Sequence, residues 1–193
     1  IVLKALSDPA THDSVRPIVY ADGCVLKATL KAAGLALRVR TVSSPGEAKF
    51  EPGTIDYVDA GVLTGPVRYG VISSESGRAG FTYLDRAIDD ALSGELDGLV
   101  TAPLNKESLQ AAAVPFIDHT AALNARASLS KTMTLFLTQN LKIFFLTRHI
   151  PFRQITEAIT QDGIIEALPL CATYLRQLGV DNPLIAVAAL NPH

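Results

Sequence analysis

Between residues 17 and 190, short β-prone runs are separated by longer stretches of helical periodicity, an alternation that leaves a chain few ways to fold. "PIVYAD" (17–22) is the first such run. "VLKATLKAAGL" (25–35) then sets Val25, Leu26, Leu30 and Ala33 on one helical face, with Thr29 its only polar member and Gly34 as a stop. "LRVRTVS" (37–43) alternates like a strand, so the opening order is β, α, β. A stretch richer in Pro and Gly (44–80) carries one further strand, "TIDYVD". In "FTYLDRAIDDALSGEL" the residues Phe81, Leu84, Ala87, Ile88, Ala91 and Leu92 share a helical face. Asp85, Arg86, Asp89 and Asp90 fall largely opposite, as a solvated face, and Gly94 closes that helix.

"DGLVTAP" (97–103) reads as a short buried strand with Asp97 at its start. "KTMTLFL" (131–137) and "LKIFFLT" (141–147) are two more, separated by "TQN" as in a hairpin. Helices are expected at 152–159 and 162–178, with Gly179 as a stop, followed by the strand "PLIAVAAL". The pattern implies an α/β fold, a mostly parallel sheet with one antiparallel pair.

Composition narrows the function classes. With 48% hydrophobic and 19% charged residues the chain is globular rather than disordered. Its net charge of −2, from 17 basic and 19 acidic residues, supplies no general attraction for nucleic acid or an acidic membrane surface. No apolar run reaches the roughly 18 residues of a membrane span. Cys24 and Cys171 show no CxxC or framework spacing, which favours reduced thiols and a cytoplasmic protein. The chain opens inside the apolar-periodic "IVLKAL" and stops just past a strand, and so reads as part of a longer protein.

In α/β sheets ligands bind beyond the carboxyl ends of the strands, which singles out the residues after each apolar run. Arg148 and His149 follow "KIFFLT"; Asn191, Pro192 and His193 follow "LIAVAAL". Prolines 151 and 192 stiffen both positions, and rigid delivery of neutral imidazoles is how a catalytic metal site is built. A loop histidine can equally be a hydrogen-bonding surface residue, and two ligands need a third. "PFIDHTAAL" sets His119 and Thr120 at a helix start, with Asp118 or Thr120 as the N-cap. There they could donate hydrogen bonds to an anion. Lys106 in "TAPLNKES" is either an anion partner, an acid/base group, or an exposed lysine of a first helical turn. His12 in "DPATHDS" reads as a solvated loop residue. No GxGxxG, GxxxxGK[ST] or GxSxG is present.

"DGLVTAPLNKESL", "PFIDHTAAL", "LTRHIPFRQITEAIT" and "IAVAALNPH" come in the order and approximate spacing of the 4-hydroxythreonine-4-phosphate dehydrogenase family, which the chain resembles over nearly its whole length. The stretch "SSPGEAKFEPGTIDYVD" is more similar to the branch acting on 4-phospho-D-threonate or 4-phospho-D-erythronate. The resemblance implies two α/β/α domains like those of isocitrate and isopropylmalate dehydrogenases, divided here as 1–112 and 113–193, the second incomplete. It implies a homodimer using NAD (or NADP) and a divalent metal, zinc foremost, with magnesium or cobalt as alternatives. His149 and His193 would ligate the metal, His119 and Thr120 would contact substrate, and Lys106 would lie near the site as a catalytic group. The third metal ligand and most NAD contacts would lie beyond residue 193. Two residues depart from the family's pattern: Asp118 stands where Gly is usual, and Ala121 where an acidic residue is usual. The activity implied is oxidation of the secondary alcohol of a 4-phosphorylated hydroxy acid, followed by β-decarboxylation. The alternative is a non-catalytic α/β module that binds a sugar phosphate.

Overall fold

The structure, a computed structural model, describes residues 1–65, 67–116, 118–127 and 132–192. The chain divides into two compact units, Ile1–Ser130 and Lys131–His193. The domain division between residues 112 and 113 remains a proposal about the longer protein.

The first unit opens with two short helices, α1 (Val2–Ala5) and α2 (Pro9–Ser14). Asp8 starts α2 by accepting a hydrogen bond from the Ala10 amide, and Pro9 costs nothing at a first helical position whose amide has no intrahelical partner. Strand β1 (Val19–Ala21) leads into α3 (Gly23–Ala33), which Gly34 ends in the left-handed conformation at φ 62°. Strands β2 (Arg38–Val42) and β3 (Thr54–Asp59) follow. All three strands are parallel in the order β1-β3-β2, with Val19 opposite Tyr57 and Arg38 opposite Thr54. Leu3, Leu6, Ala21, Leu26, Leu30, Ile55 and Tyr57 form the core beneath α3.

The long helix α4 (Ser74–Leu92) begins seven residues earlier than its apolar stripe predicts, because the Ser73 hydroxyl accepts the Ser76 amide and starts the helix there. Helices α5 (Lys106–Ala111) and α6 (His119–Arg126) follow. Leu84 and Ile88 of α4 pack with Ala122 of α6 and with Phe81, Leu99, Leu104 and Phe116 in a second core cluster. The acidic face of α4 is not simply solvated: Arg126 pairs with Asp85 (2.7 Å) and Asp89, and the Tyr20 hydroxyl donates to Asp90.

A buried carboxylate locks β2 to β3. Asp56 accepts from Arg40 Nε (2.6 Å) and from the amides of Lys49 (2.9 Å) and Phe50 (2.7 Å). Burial by itself would raise the Asp56 carboxyl, but the Arg40 guanidinium and the two amides outweigh it and hold the group below the ordinary carboxylate range. Stability from a depressed acid is present above the unfolded value and lost as pH falls through the folded one. Asp56→Ala, which strands two amides and leaves the Arg40 guanidinium with Glu51 alone, is therefore expected to cost about 3 kcal/mol near neutrality. Urea melts should show the gap between wild type and variant narrowing below about pH 4.

The second unit holds a hairpin, β4 (Leu135–Thr138) and β5 (Leu141–Phe144), antiparallel with Leu135 opposite Phe144. Gln139 turns the chain at φ 46°. Phe136 meets Phe145 edge to face at 4.8 Å. A single helical turn, α7 (Ile155–Ala158), precedes α8 (Gln161–Gln177), which the Thr160 hydroxyl caps through the Gly163 amide. Cys171 is buried in α8, and burial pushes its thiol up. The chain thus contains the predicted antiparallel pair as well as a parallel sheet, and the fold is α/β.

Two predicted strands are not formed. Residues 97–103 and 183–190 carry no strand pairing, and Val100 and Leu184 are fully exposed. An extended apolar run becomes a strand only when a neighbour satisfies its amides and carbonyls, and among the described residues neither run has that neighbour. No helix among the described residues is long and apolar enough to cross a membrane.

Candidate functional site

The carboxyl end of β1 turns into α3 through Asp22 and Gly23. Asp22 is buried and does not cap its own helix; it accepts from the Val62 amide (2.9 Å), the Leu63 amide (2.8 Å) and the Tyr83 hydroxyl (2.7 Å). It therefore ties the loop after β3 and the middle of α4 to the end of β1. Gly23 is required there, since a Cβ would lie 2.3 Å from the Tyr57 hydroxyl. Burial, followed by the hydrogen bond and charge of Asp22, raises the Tyr83 hydroxyl well above its ordinary value; burial and then Asp90 do the same for Tyr20. Both phenols stay neutral donors at any physiological pH.

Helix α5 meets α4 where Gly77 leaves room for the Ser108 backbone. Asn105 Oδ1 caps α5 through the Ser108 amide (2.8 Å). Lys106 is the first residue of α5 and is exposed. Of the two predicted caps for α6, Asp118 is the one used: its Oδ1 accepts from the Ala121 amide at 2.9 Å. One helix-start amide is thereby committed to an internal carboxylate, which answers the departure from Gly at this position: the acidic group is engaged in the fold. His119 and Thr120 follow as half-buried residues of the first turn.

These elements surround one large cavity of about 1400 Å³. His12, Arg16, Thr101, Asn105 and His119 are among its polar lining; Thr120 and Lys106 do not line it. Its formal charges are those of Arg16 against Asp13, Glu95 and Asp97. His12 was expected in solvent, but it lies on α2, where its Nε2 meets the Leu6 carbonyl at 3.0 Å and its Nδ1 is buried with no partner among the described residues. The Asp8-Pro9 helix start was the sequence signal for that placement.

His149 belongs to the second unit. It lies beyond β5 at φ 53°, a left-handed conformation uncommon for a residue with a Cβ, and its ring is exposed with no hydrogen bond among the described residues. Both ring nitrogens are therefore free, which suits a metal donor. His193 lies outside the described residues, so the convergence of the two imidazoles is a matter for experiment. Among the described residues no group of three His, Cys, Asp or Glu side chains is arranged to hold a metal ion.

Comparison with known proteins adds to this geometry. Residues 13–193 match the family model described as pyridoxal phosphate biosynthetic protein PdxA. A protein of Symbiobacterium thermophilum provisionally named D-threonate 4-phosphate dehydrogenase is 37% identical over 194 residues, covering all of this chain and 58% of that protein. One of Cutibacterium acnes with the same provisional name is 35% identical over 195 residues, covering all of this chain and 56% of its own. The crystal structure of 4-hydroxythreonine-4-phosphate dehydrogenase from Klebsiella pneumoniae superposes with a TM-score of 0.90 at 30% identity, over all of this chain and 58% of that one. The chain thus spans somewhat more than half the length of the relatives it matches.

Proposed function

The chain belongs to the family of the pyridoxal phosphate biosynthetic protein PdxA, and from that premise we propose that the protein is an NAD-dependent, divalent-metal-dependent dehydrogenase of a 4-phosphorylated hydroxy acid. The observation that carries the proposal is the family match over residues 13–193. In the reaction, hydride passes from the carbinol carbon of the substrate to the nicotinamide and the alcohol proton to a base. The ketone so formed is β to a carboxylate, whose carbon leaves as CO2. The relatives' names point to 4-phospho-D-threonate as the first substrate to try, with 4-phosphooxy-threonine beside it, and 4-phospho-D-erythronate completes the panel.

His149, with both ring nitrogens uncommitted, would hold the divalent ion together with His193 and a ligand from elsewhere in the protein. When bound, such an ion lowers the pKa of the substrate alcohol and stabilises negative charge on its oxygen, and zinc, magnesium and cobalt can all do so. His119 and Thr120, in the first turn of α6, would donate hydrogen bonds to the anionic ends of the substrate and so fix the carbinol carbon toward the nicotinamide. Asp118, its Oδ1 held by the Ala121 amide, keeps that turn rigid. Lys106, exposed at the start of α5, would supply a cation for phosphate or carboxylate, or a proton. We further propose that the protein works as a homodimer in the cytoplasm.

The complete gene product, incubated with NAD and a panel of 4-phosphorylated hydroxy acids, is expected to form NADH and CO2 in equal amounts with at least one of them. A chelator should abolish both, and zinc, magnesium or cobalt should restore them. Ligand binding without NADH, unaffected by chelation, would instead identify a sugar-phosphate binding module.

A further inference from the structure

We propose that Asp118 is a specificity-determining residue of the turn that would hold the substrate's anionic end: its hydrogen bond builds that turn, and its charge limits how tightly the turn can hold an anion. The inference rests on the reading of His119 and Thr120 as substrate contacts and adds to it a residue whose two effects have opposite signs.

The first effect is geometric and belongs to the start of α6. Asp118 is extended (φ −159°, ψ 174°), and its carbonyl accepts the first intrahelical hydrogen bond, from the Ala122 amide at 3.2 Å. The amides of His119, Thr120 and Ala121 come before that bond and need acceptors from outside the helix. Asp118 Oδ1 takes the last of them, Ala121, at 2.9 Å, which closes the turn and fixes the backbone of the two residues in between. Among the described residues the His119 and Thr120 amides have no acceptor, so both N–H groups are left for a ligand. The far end of the helix is fastened too. Ala122 is 1% exposed in the cluster with Leu84 and Ile88, and Arg126 in the last turn pairs with Asp85 (2.7 Å) and Asp89 of α4. α6 is thus held against α4, and the carboxylate keeps its place relative to anything the first turn binds.

The second effect is electrostatic and runs the other way. Asp118 makes no ion pair among the described residues, so its charge is offset only by the partial positive charge of the helix start, roughly half a unit. An anion on the His119 and Thr120 donors would lie within about one helical turn, roughly 5 Å, of that carboxylate. Repulsion between unit charges at this distance weakens binding about 4-fold at the dielectric constant of water and more in a partly desolvated place, so about 10-fold is expected for this half-buried turn. The consequence is selectivity by anchorage. A lone inorganic phosphate ion does not hold against the repulsion, whereas a substrate attached at several points does.

Three forms of the complete gene product separate the two effects: wild type, Asp118→Asn and Asp118→Ala. Asn caps a helix as well as Asp and carries no charge, whereas Ala neither caps nor repels. Calorimetric titration with inorganic phosphate is expected to show binding about 10-fold tighter to Asp118→Asn than to wild type, with KM for the phosphorylated hydroxy acid lower by a similar factor. Asp118→Ala should bind phosphate about 5-fold more weakly than Asp118→Asn, because the first turn frays without its cap. Adding His119→Ala to Asp118→Asn should remove the gain. Equal or tighter phosphate binding by wild type, no measurable binding by any form, Ala matching Asn, or a gain that survives His119→Ala would each overturn the inference. The titration needs no turnover: a protein that forms no NADH but gives the expected order of affinities fails the proposed reaction and keeps this role for Asp118, and an active enzyme with three equal affinities does the reverse.

Discussion

Replacing His149 with Ala in the complete gene product is expected to lower turnover by a factor of about 1,000 or more and to reduce bound divalent metal in parallel. Loss of a residue that merely orients a metal ligand costs about 10- to 100-fold, and loss of the ligand itself costs more. The fold should tolerate the change, because the ring is exposed and makes no hydrogen bond among the described residues. The backbone is the one complication: at φ 53° Ala is more strained than His. His149→Asn, which accepts left-handed geometry readily, separates the two effects. Both variants should melt within a few degrees of wild type and both should lose metal and activity. A variant that keeps its full metal content and its turnover would remove His149 from the site.

Gly77→Val should be the most damaging single change to the first unit. An added Cβ at Gly77 would lie 1.9 Å from the Ser108 carbonyl oxygen and 2.4 Å from its carbon. Those are backbone atoms of α5, anchored by the Asn105 cap and by the Ser73 amide on the Ser108 hydroxyl, and cannot swing aside as a flexible side chain could. Relief requires α5 to move away from α4. Overpacking commonly costs 1–3 kcal/mol, and with a rigid neighbour about 3 kcal/mol or more is expected, with the extra branching of Val adding to it. Gly46→Ala is the control: its Cβ would find only the Ser44 hydroxyl at 3.9 Å, so it should stay within about 0.5 kcal/mol of wild type. Thermal melts of the two variants measure the difference directly.

The structure changes how several sequence features are understood. Periodicity located α3 and α8 and the hairpin of β4 and β5, because their burial patterns are set by local spacing. It did not foresee the partners of Asp85, Asp89 and Asp90, because Arg126 and Tyr20 lie far away in sequence. It also misjudged His12, whose carbonyl partner six residues away becomes visible only once α1 and α2 are folded against each other. For the candidate site, strand-end logic selected His149 and His193, a helix start selected His119, and the family motifs reinforced all three. The structure adds that His119 lines the cavity, that Lys106 and Thr120 do not, and that Asp118 spends one carboxylate oxygen on capping.

Local order in the chain was enough to establish the α/β class, the helical faces, the hairpin and the family motifs, since each depends on residues close together and on side-chain periods of two or 3.6. Only tertiary structure could decide whether 97–103 and 183–190 become strands and which carboxylates are engaged. A strand's hydrogen bonds and a buried charge's partners are supplied by other parts of the fold, and no local pattern contains them.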